Sequence, residues 1–299
     1  MIHIDLTTSQ LEQFDEDGFL ILDRLLKADE VARAAARFEP LFRGEFETGL
    51  YPDEWNWQEG RDAPDRTRQI CNGWKSDRAI AALVLHEQVG RMCAQLAGWP
   101  GARIAQDNVL WKPPGAKPLG FHQDNSYIKW CDPPAYLTCW IALDETHARG
   151  GTIEYVRGSH RWGKFPPIRQ FHAPDDYREA MREAARTVGH EPEIVPVEVP
   201  PGGCALHHGD TWHGSDTNRG NTPRRSTVAH CISSEARYHP TEIGYIYSRY
   251  KRVDDLSMDE SYFPILWRQD GYRSPFLDPY IRGERAVASD AKAGAAALR

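Results

Sequence analysis

His122 and Asp124 stand two positions apart in Phe121-His122-Gln123-Asp124, and a third candidate ligand, His213, lies far downstream. Two imidazoles and one carboxylate are the ligand set of mononuclear non-haem iron oxygenases. Residues i and i+2 of a strand share a face, so His122 and Asp124 would point the same way and Gln123 elsewhere. A distant strand can then supply His213. Such a set leaves Fe(II) three open positions, two for a chelating 2-oxo acid and one for O2, whereas a structural zinc site fills its sphere with protein ligands. Arg224 follows His213 by eleven residues. An antiparallel return after the turn-like run Gly214-Ser215-Asp216-Thr217-Asn218 would bring it beside the metal. There its guanidinium could grip the far carboxylate of 2-oxoglutarate, and Arg225 would face the opposite side.

A rival cluster, His208-Gly209-Asp210, sits just before His213. It is crowded onto one short segment, which suits a turn better than a three-point metal site. His208 follows the apolar Ala205-Leu206 and is expected near the core. His147, His160, His172 and His190 are expected at the surface or on a rim.

The elements that must carry these residues change character along the chain. Residues 7–40 look helical, with Thr8-Ser9 as a cap, an interruption at Gly18, a short strand-like run Phe19-Leu20-Ile21-Leu22, and a second helix over residues 27–38 stopped by Pro40. Residues 43–74 have loop composition, and a loop that long is usually functional. Residues 77–96 read as a further helix, ended by Gly98. From residue 103 short strands take over: residues 103–111, with Ile104, Gln106, Asn108 and Leu110 on one face, then 136–143, 152–156, 194–199, 204–208 and 226–233. Between them, residues 157–192 form a polar insertion with a helix over 175–186, placed to act as a lid or substrate wall. The aromatic tail (Tyr245, Tyr247, Tyr250, Tyr262, Trp267) is expected to pack back on the core.

The 299 residues, 40% hydrophobic and 26% charged, suit one globular domain. We expect helical support and a substrate loop over 1–100, a strand core over 101–235 and a C-terminal extension over 236–299. A net charge of −7 without a basic stripe argues against nucleic acid as a partner. No apolar run is long enough to span a bilayer, and the first residues lack a secretory pattern, so the expectation is a cytoplasmic protein with no membrane partner, monomeric or weakly dimeric. The six cysteines form no CxxC pair and are expected to be reduced core residues.

Taken together, Phe121–Asp124, Gly158-Ser159-His160-Arg161, and His213-Gly214-Ser215 followed by Asn218 and Arg224 resemble the phytanoyl-CoA dioxygenase family of iron(II)/2-oxoglutarate oxygenases. The connecting blocks Trp111-Lys112-Pro113-Pro114-Gly115, residues 137–143 and Gly150-Gly151-Thr152 fit the same pattern, as does the lead-in over residues 14–20. The resemblance covers roughly residues 100–233. It implies a mainly β, cupin-like double-stranded β-helix (jelly-roll) core with flanking N-terminal helices. It implies His122, Asp124 and His213 as iron ligands and Arg224 as the 2-oxoglutarate anchor. Trp140 falls where the family has a tryptophan after the HxD strand, and Thr138, Asn108 and Gln106 are implied as pocket residues. Related halogenases lack the carboxylate, so Asp124 argues against halogenation.

The expected reaction is hydroxylation of an unactivated C–H bond in a mid-sized small molecule, with 2-oxoglutarate leaving as succinate and CO2. Desaturation, epoxidation or ring formation would begin the same way. The expected substrate walls, residues 43–74, 127–130 and 161–173, mix Trp55, Trp57, Trp74 and Trp130 with Arg61, Arg66, Arg68 and Lys129, which suggests apolar area and an anionic group on the substrate. Two other readings stand beside this one: a non-enzymatic metal-binding protein, and a metal enzyme that does not use 2-oxoglutarate.

Overall fold

Alternation in the longest strand-like stretch sets the architecture. In the computed structural model, which describes residues 1–284, Gly101–Lys112 (β4) pairs antiparallel with Arg224–Ser233 (β12) from Lys112↔Arg224 to Ala102↔Ser233. These two strands are the spine of an eight-stranded sheet. Beyond β12 lie Leu137–Ala142 (β7), Cys204–His208 (β10) and Phe19–Leu22 (β1); beyond β4 lie Arg68–Cys71 (β3) and Glu54–Trp55 (β2), while Ile265–Arg268 (β14) pairs the other end of β4. A second sheet runs Leu119–His122 (β5), His213–Ser215 (β11), Ile153–Val156 (β8) and Ile194–Pro196 (β9). Cys131–Asp132 (β6) and Arg237–Tyr238 (β13) form a separate ribbon.

Period-two alternation sorts the large sheet's side chains. Leu137, Cys139, Ile141, Leu206, Ala229, Cys231, Val109 and Ile70 face outward into the main core, against the helices Ala28–Ala35 (α2), Arg78–Val84 (α4) and Glu87–Ala97 (α5). Burying each large aliphatic side chain there contributes about 1.5–3 kcal/mol. The opposite face carries Thr138, Trp140, Val228, His230, Gln106 and Asn108 and looks toward the second sheet. Ile104 leaves the face expected for it. A register shift between His230 and Cys231 passes over Ala105, so Ile104 enters the helix-side core and Ala105 a separate aromatic cluster.

Helix ends follow local chemistry. Thr8–Asp17 (α1) is capped by Thr7, one residue before the expected cap, with Gln10 completing a capping box, and it ends on left-handed Gly18. Pro40 does not stop a helix; it lies inside the short helix Phe38–Phe42 (α3). Residues 77–96 are two helices rather than one, with the break at Leu85–His86. The insertion contains Glu179–Val188 (α6), and the tail ends in Leu277–Arg282 (α7). The tail does pack back, through β14 and through Phe263 and Tyr247 in the aromatic cluster. The expected extension continues to 299, and residues 285–299 lie outside the described residues. All six cysteines are free and buried. Among the described residues no helix is long and apolar enough to cross a membrane.

The expectation of a mainly β jelly-roll needs correcting. Among the described residues helix and strand are nearly balanced, at 26% and 24%, and no sheet closes into a barrel or curls strongly. Strand-rich composition from residue 101 onward outweighed the helical first third in the sequence. The second sheet's strands are only three or four residues long, and both of its edges end without pairing the large sheet. The result is two facing open sheets with helices packed outside. Residues 43–74, expected as loop, contribute the edge strands β2 and β3.

Candidate metal centre

The pairing of β5 with β11 sets His122 opposite His213, their ring centroids 4.2 Å apart. Strand β5 ends at His122. Gln123 keeps an extended backbone, so Asp124, which opens a 3-10 turn, still lies on the His122 side. Gln123 points away, donating to the carbonyls of Gly163 and Asp210. The Nε2 atoms of His122 and of His213 each lie 3.6 Å from Asp124 Oδ1. All three ligand atoms fall within 4.8 Å of one another, and all three residues are buried. An ion about 2 Å from each ligand atom fits a triangle of this size.

The surrounding hydrogen bonds fit a metal as well. His122 Nδ1 is 2.9 Å from the Gly120 carbonyl, and His213 Nδ1 is 2.9 Å from that of Thr211. Each Nδ1–H donates there, which leaves the Nε2 lone pair for the ion. Asp124 Oδ2 accepts from Thr138 Oγ1 at 2.7 Å and His207 Nε2 at 3.0 Å, so Oδ1 is left toward the two imidazoles. Burial raises the Asp124 carboxyl, but the electrostatic pull of the neighbouring His230 and His213 rings and the contacts from His122 and His207 outweigh it and hold the group well below the usual carboxylate range. Burial, reinforced by His122 and His207, pushes His213 well below the ordinary histidine value, which keeps it neutral, as a ligand must be. A 2-His-1-carboxylate site with an open side suits Fe(II).

That open side faces a cavity of about 390 Å³. Trp140, Asn108, Gln106 and Arg224 all line it. Thr138 does not; it is fully buried behind Asp124. Arg224 is enclosed, donating to Ser226 Oγ at 2.8 Å and to the Gly151 carbonyl at 3.1 Å, while its Nε has no partner. Burial lowers its pKa to about 10, against a weaker raising pull from Asp144. The guanidinium lies 5.8 Å from the Trp140 ring. Arg225 faces the other way and pairs with Asp144 at 2.6 Å. The rival His208–Asp210 turn stays apart, and among the described residues the triad is the one group of histidine, cysteine and acidic side chains placed to hold a metal.

Of the expected walls, Glu54, Asn56, Gln69, Cys71, Tyr127, Phe171 and His172 do face the cavity, but none of the flagged tryptophans or cations does. Arg68 is stacked over Trp57 and Trp111 at 3.7 and 4.3 Å, and Arg61 and Arg66 pair with Asp62. The sequence reading missed His207, His230 and Tyr155. Tyr155 OH is 2.9 Å from His207 Nδ1, and His230 Nδ1 is 2.9 Å from Thr138 Oγ1. Alternation could have found His230, because Arg224, Ser226, Val228 and His230 share one strand face.

The family model for phytanoyl-CoA dioxygenase matches residues 14–226. An ectoine dioxygenase of Nocardia farcinica is 26% identical over 231 residues, covering 73% of this chain and 74% of that one. Among solved structures, the non-heme alpha ketoglutarate dependent carbocyclase SnoK from nogalamycin biosynthesis aligns with a TM-score of 0.65 at 25% identity, over 87% of this chain and 96% of that one. The epimerase SnoN in complex with Fe3+, alpha ketoglutarate and nogalamycin RO aligns with a TM-score of 0.67 at 23% identity, over 87% and 98%. With its metal-ligand triangle and cavity, the protein is an Fe(II)/2-oxoglutarate-dependent oxygenase of small molecules. Its family match spans most of the sequence, and the chain belongs to the phytanoyl-CoA dioxygenase family.

Proposed function

We propose that the protein hydroxylates a C–H bond of a mid-sized, polyfunctional small molecule, a natural product or its precursor. The carrying observation is the position of the triad's open side at one wall of a cavity whose other walls combine amides, tyrosines and a carboxylate. His122, Asp124 and His213 would hold the iron, which with 2-oxoglutarate and O2 would supply the oxidant, with succinate and CO2 as the co-products.

The chain's own residues do the rest. Arg224, enclosed and without a carboxylate partner among the described residues, binds the far carboxylate of 2-oxoglutarate, and Trp140 packs beside it. Leu110, Leu119, Ile153 and Val228 give that part of the cavity apolar walls, which strengthens the guanidinium–carboxylate attraction. Phe171 sits edge-on to His122 at 4.8 Å and Tyr127 at 6.2 Å, so the insertion and the turn after Asp124 shield the metal from water. Similar structures include a carbocyclase and an epimerase. Ring closure and epimerisation share the first hydrogen removal with hydroxylation, and substrate placement separates them.

The test is anaerobic absorbance of Fe(II)-loaded protein with and without 2-oxoglutarate. A visible charge-transfer band that appears only with both is the expected result. No band, despite confirmed iron binding, would remove 2-oxoglutarate from the account and favour a metal enzyme that does not use it.

A further inference from the structure

We infer that the substrate carries a positively charged nitrogen, and that Glu54 at the far end of the cavity receives it. This rests on the proposed reading of the cavity as the oxygenase's substrate site.

Pairing across the large sheet places Glu54 in one row of cavity-facing side chains. Glu54 is opposite Cys71, Cys71 opposite Asn108, Asn108 opposite Val228, and Val228 opposite Trp140. The carboxylate therefore belongs to the wall that also carries the co-substrate end. Its Oε2 accepts weakly, from Asn56 Nδ2 at 3.4 Å and Cys71 Sγ at 3.3 Å. It makes no ion pair with any described lysine or arginine. The neighbouring Asp53 differs: its carboxylate is paired with Lys75 at 2.7 Å and faces away from the cavity. Among the described residues lining the cavity, Arg224 is the one lysine or arginine, and the 2-oxoglutarate carboxylate claims it.

The amides around Glu54 make the wall rich in acceptors. Gln69 Nε2 and Gln106 Nε2 both donate to Asn108 Oδ1, at 3.0 and 3.1 Å. Asn108 Nδ2 is directed at His230 Nε2, 2.9 Å away. These bonds turn the amide nitrogens toward one another, and Glu54 Oε1 and Gln69 Oε1 have no partners among the described residues. Tyr136 and Tyr247 also line the cavity, and Tyr247 OH donates to Gln106 Oε1. A carboxylate and the unpartnered Gln69 carbonyl oxygen fit a donor-bearing organic cation. They repel the anionic group expected from the sequence, whose candidate arginines are turned elsewhere.

Size follows from the same row. Strand β2 is four strands from β7, whose Thr138 touches Asp124. At about 4.8 Å per strand, less the reach of the side chains, the nitrogen and the oxidised carbon are separated by on the order of 10 Å. The substrate class is a hydroxyl-bearing amine of at least two rings or an equivalent chain.

The experiment uses the full chain loaded with Fe(II) and 2-oxoglutarate under anaerobic conditions. Amino sugars and amino alcohols, singly and as disaccharides, are each titrated beside the N-acetylated counterpart, by calorimetry, against the wild type and Glu54→Gln. The expected result is binding of amines at least about tenfold tighter than their acetylated forms, with that preference lost in Glu54→Gln. Equal binding of both forms to the wild type, binding of neither, or an undiminished preference in Glu54→Gln overturns the inference. The preference within the wild type decides the matter even where the variant folds poorly. The Fe(II)–2-oxoglutarate absorption band is recorded on the same samples. A band without amine preference overturns this inference alone, and absence of the band in the wild type overturns both readings.

Discussion

Thr138 Oγ1 donates to Asp124 Oδ2 at 2.7 Å, from a strand of the large sheet to a turn that follows the small one. Together with the bond from His207 Nε2 to the same oxygen, it ties the carboxylate ligand to the opposite wall and sets which oxygen faces the metal. Thr138→Val keeps the shape of the side chain and removes the donor, so Asp124 Oδ2 is held by His207 alone. Fe(II) affinity should fall roughly 10- to 100-fold, as for other lost partners of metal ligands. Anaerobic Fe(II) titration checks this, and Thr138→Ser should restore most of the loss. Unchanged affinity in the valine variant would show that His207 alone orients the carboxylate.

Removal of Asp124 itself acts on the ion directly. Asp124→Ala should abolish stable iron binding and with it succinate release, because two imidazoles without the carboxylate hold Fe(II) poorly and carry no compensating charge. Metal analysis after desalting and a coupled succinate assay give the two readouts. Retained activity would take the triad assignment away.

Arg224, the proposed 2-oxoglutarate anchor, lets co-substrate binding be tested apart from metal binding. It is a buried cation whose partners are a hydroxyl and a carbonyl rather than a carboxylate. Arg224→Ala should therefore raise the KM for 2-oxoglutarate at least roughly thirtyfold, the loss expected when one member of a buried charge pair is truncated. Fe(II) affinity and melting temperature should hold, since no buried anion is stranded. If KM is unchanged, another cation anchors the co-substrate, and the buried Lys112 across the sheet from it is the first to examine.

Much of this site was legible in the sequence because its logic is local. The i, i+2 spacing of His122 and Asp124 survives even though the strand stops at His122, since Gln123 stays extended. Arg224 and Arg225 diverge as alternation requires. What was not legible depended on tertiary pairing. His207 matters because β10 lies beside β7 and sets it opposite Thr138, a relation that composition does not encode. Arg68 looked like a pocket cation, but its position opposite Trp111 puts it on the helix side of the sheet. Ile104 changed faces through a one-residue bulge. The balance of helix to strand was misjudged because periodicity identifies elements without saying whether a sheet's edges meet.

Gly214 tests how closely the two histidine strands must approach. A Cβ there would lie 2.7 Å from Phe121 Cδ2 and 3.0 Å from Phe121 Cα. Phe121 precedes His122 and its backbone cannot yield without moving the ligand. Gly214→Ala should destabilise the fold by about 1–3 kcal/mol, the usual range for overpacking, and widen the His122–His213 separation. The expected observation is a lowered melting temperature together with weakened Fe(II) binding. A variant with normal iron affinity would mean that the strain is absorbed by the Phe121 ring alone.

Asp107 predicts a pH effect unconnected with catalysis. It is fully buried on the helix side of β4, where Oδ1 accepts from the Trp74 N–H at 2.9 Å and Oδ2 has no partner. Burial raises its pKa to about 7, partly offset by the Trp74 N–H and by Lys75, against an ordinary value of 3.8. Between those two values the folded chain holds a proton that the unfolded chain has lost. Protonation therefore favours the native state, and this contribution is full below about pH 4 and lost as pH rises toward 7, at up to about 1.4 kcal/mol per unit. Asp107→Asn keeps the acceptor for Trp74 and cannot ionise. The melting temperature of the variant relative to the wild type should thus rise steadily from pH 4.5 to pH 7.5, and this difference isolates the group from all other titrations. A difference that stays flat over that range would show that Asp107 is charged throughout and that Lys75 compensates it.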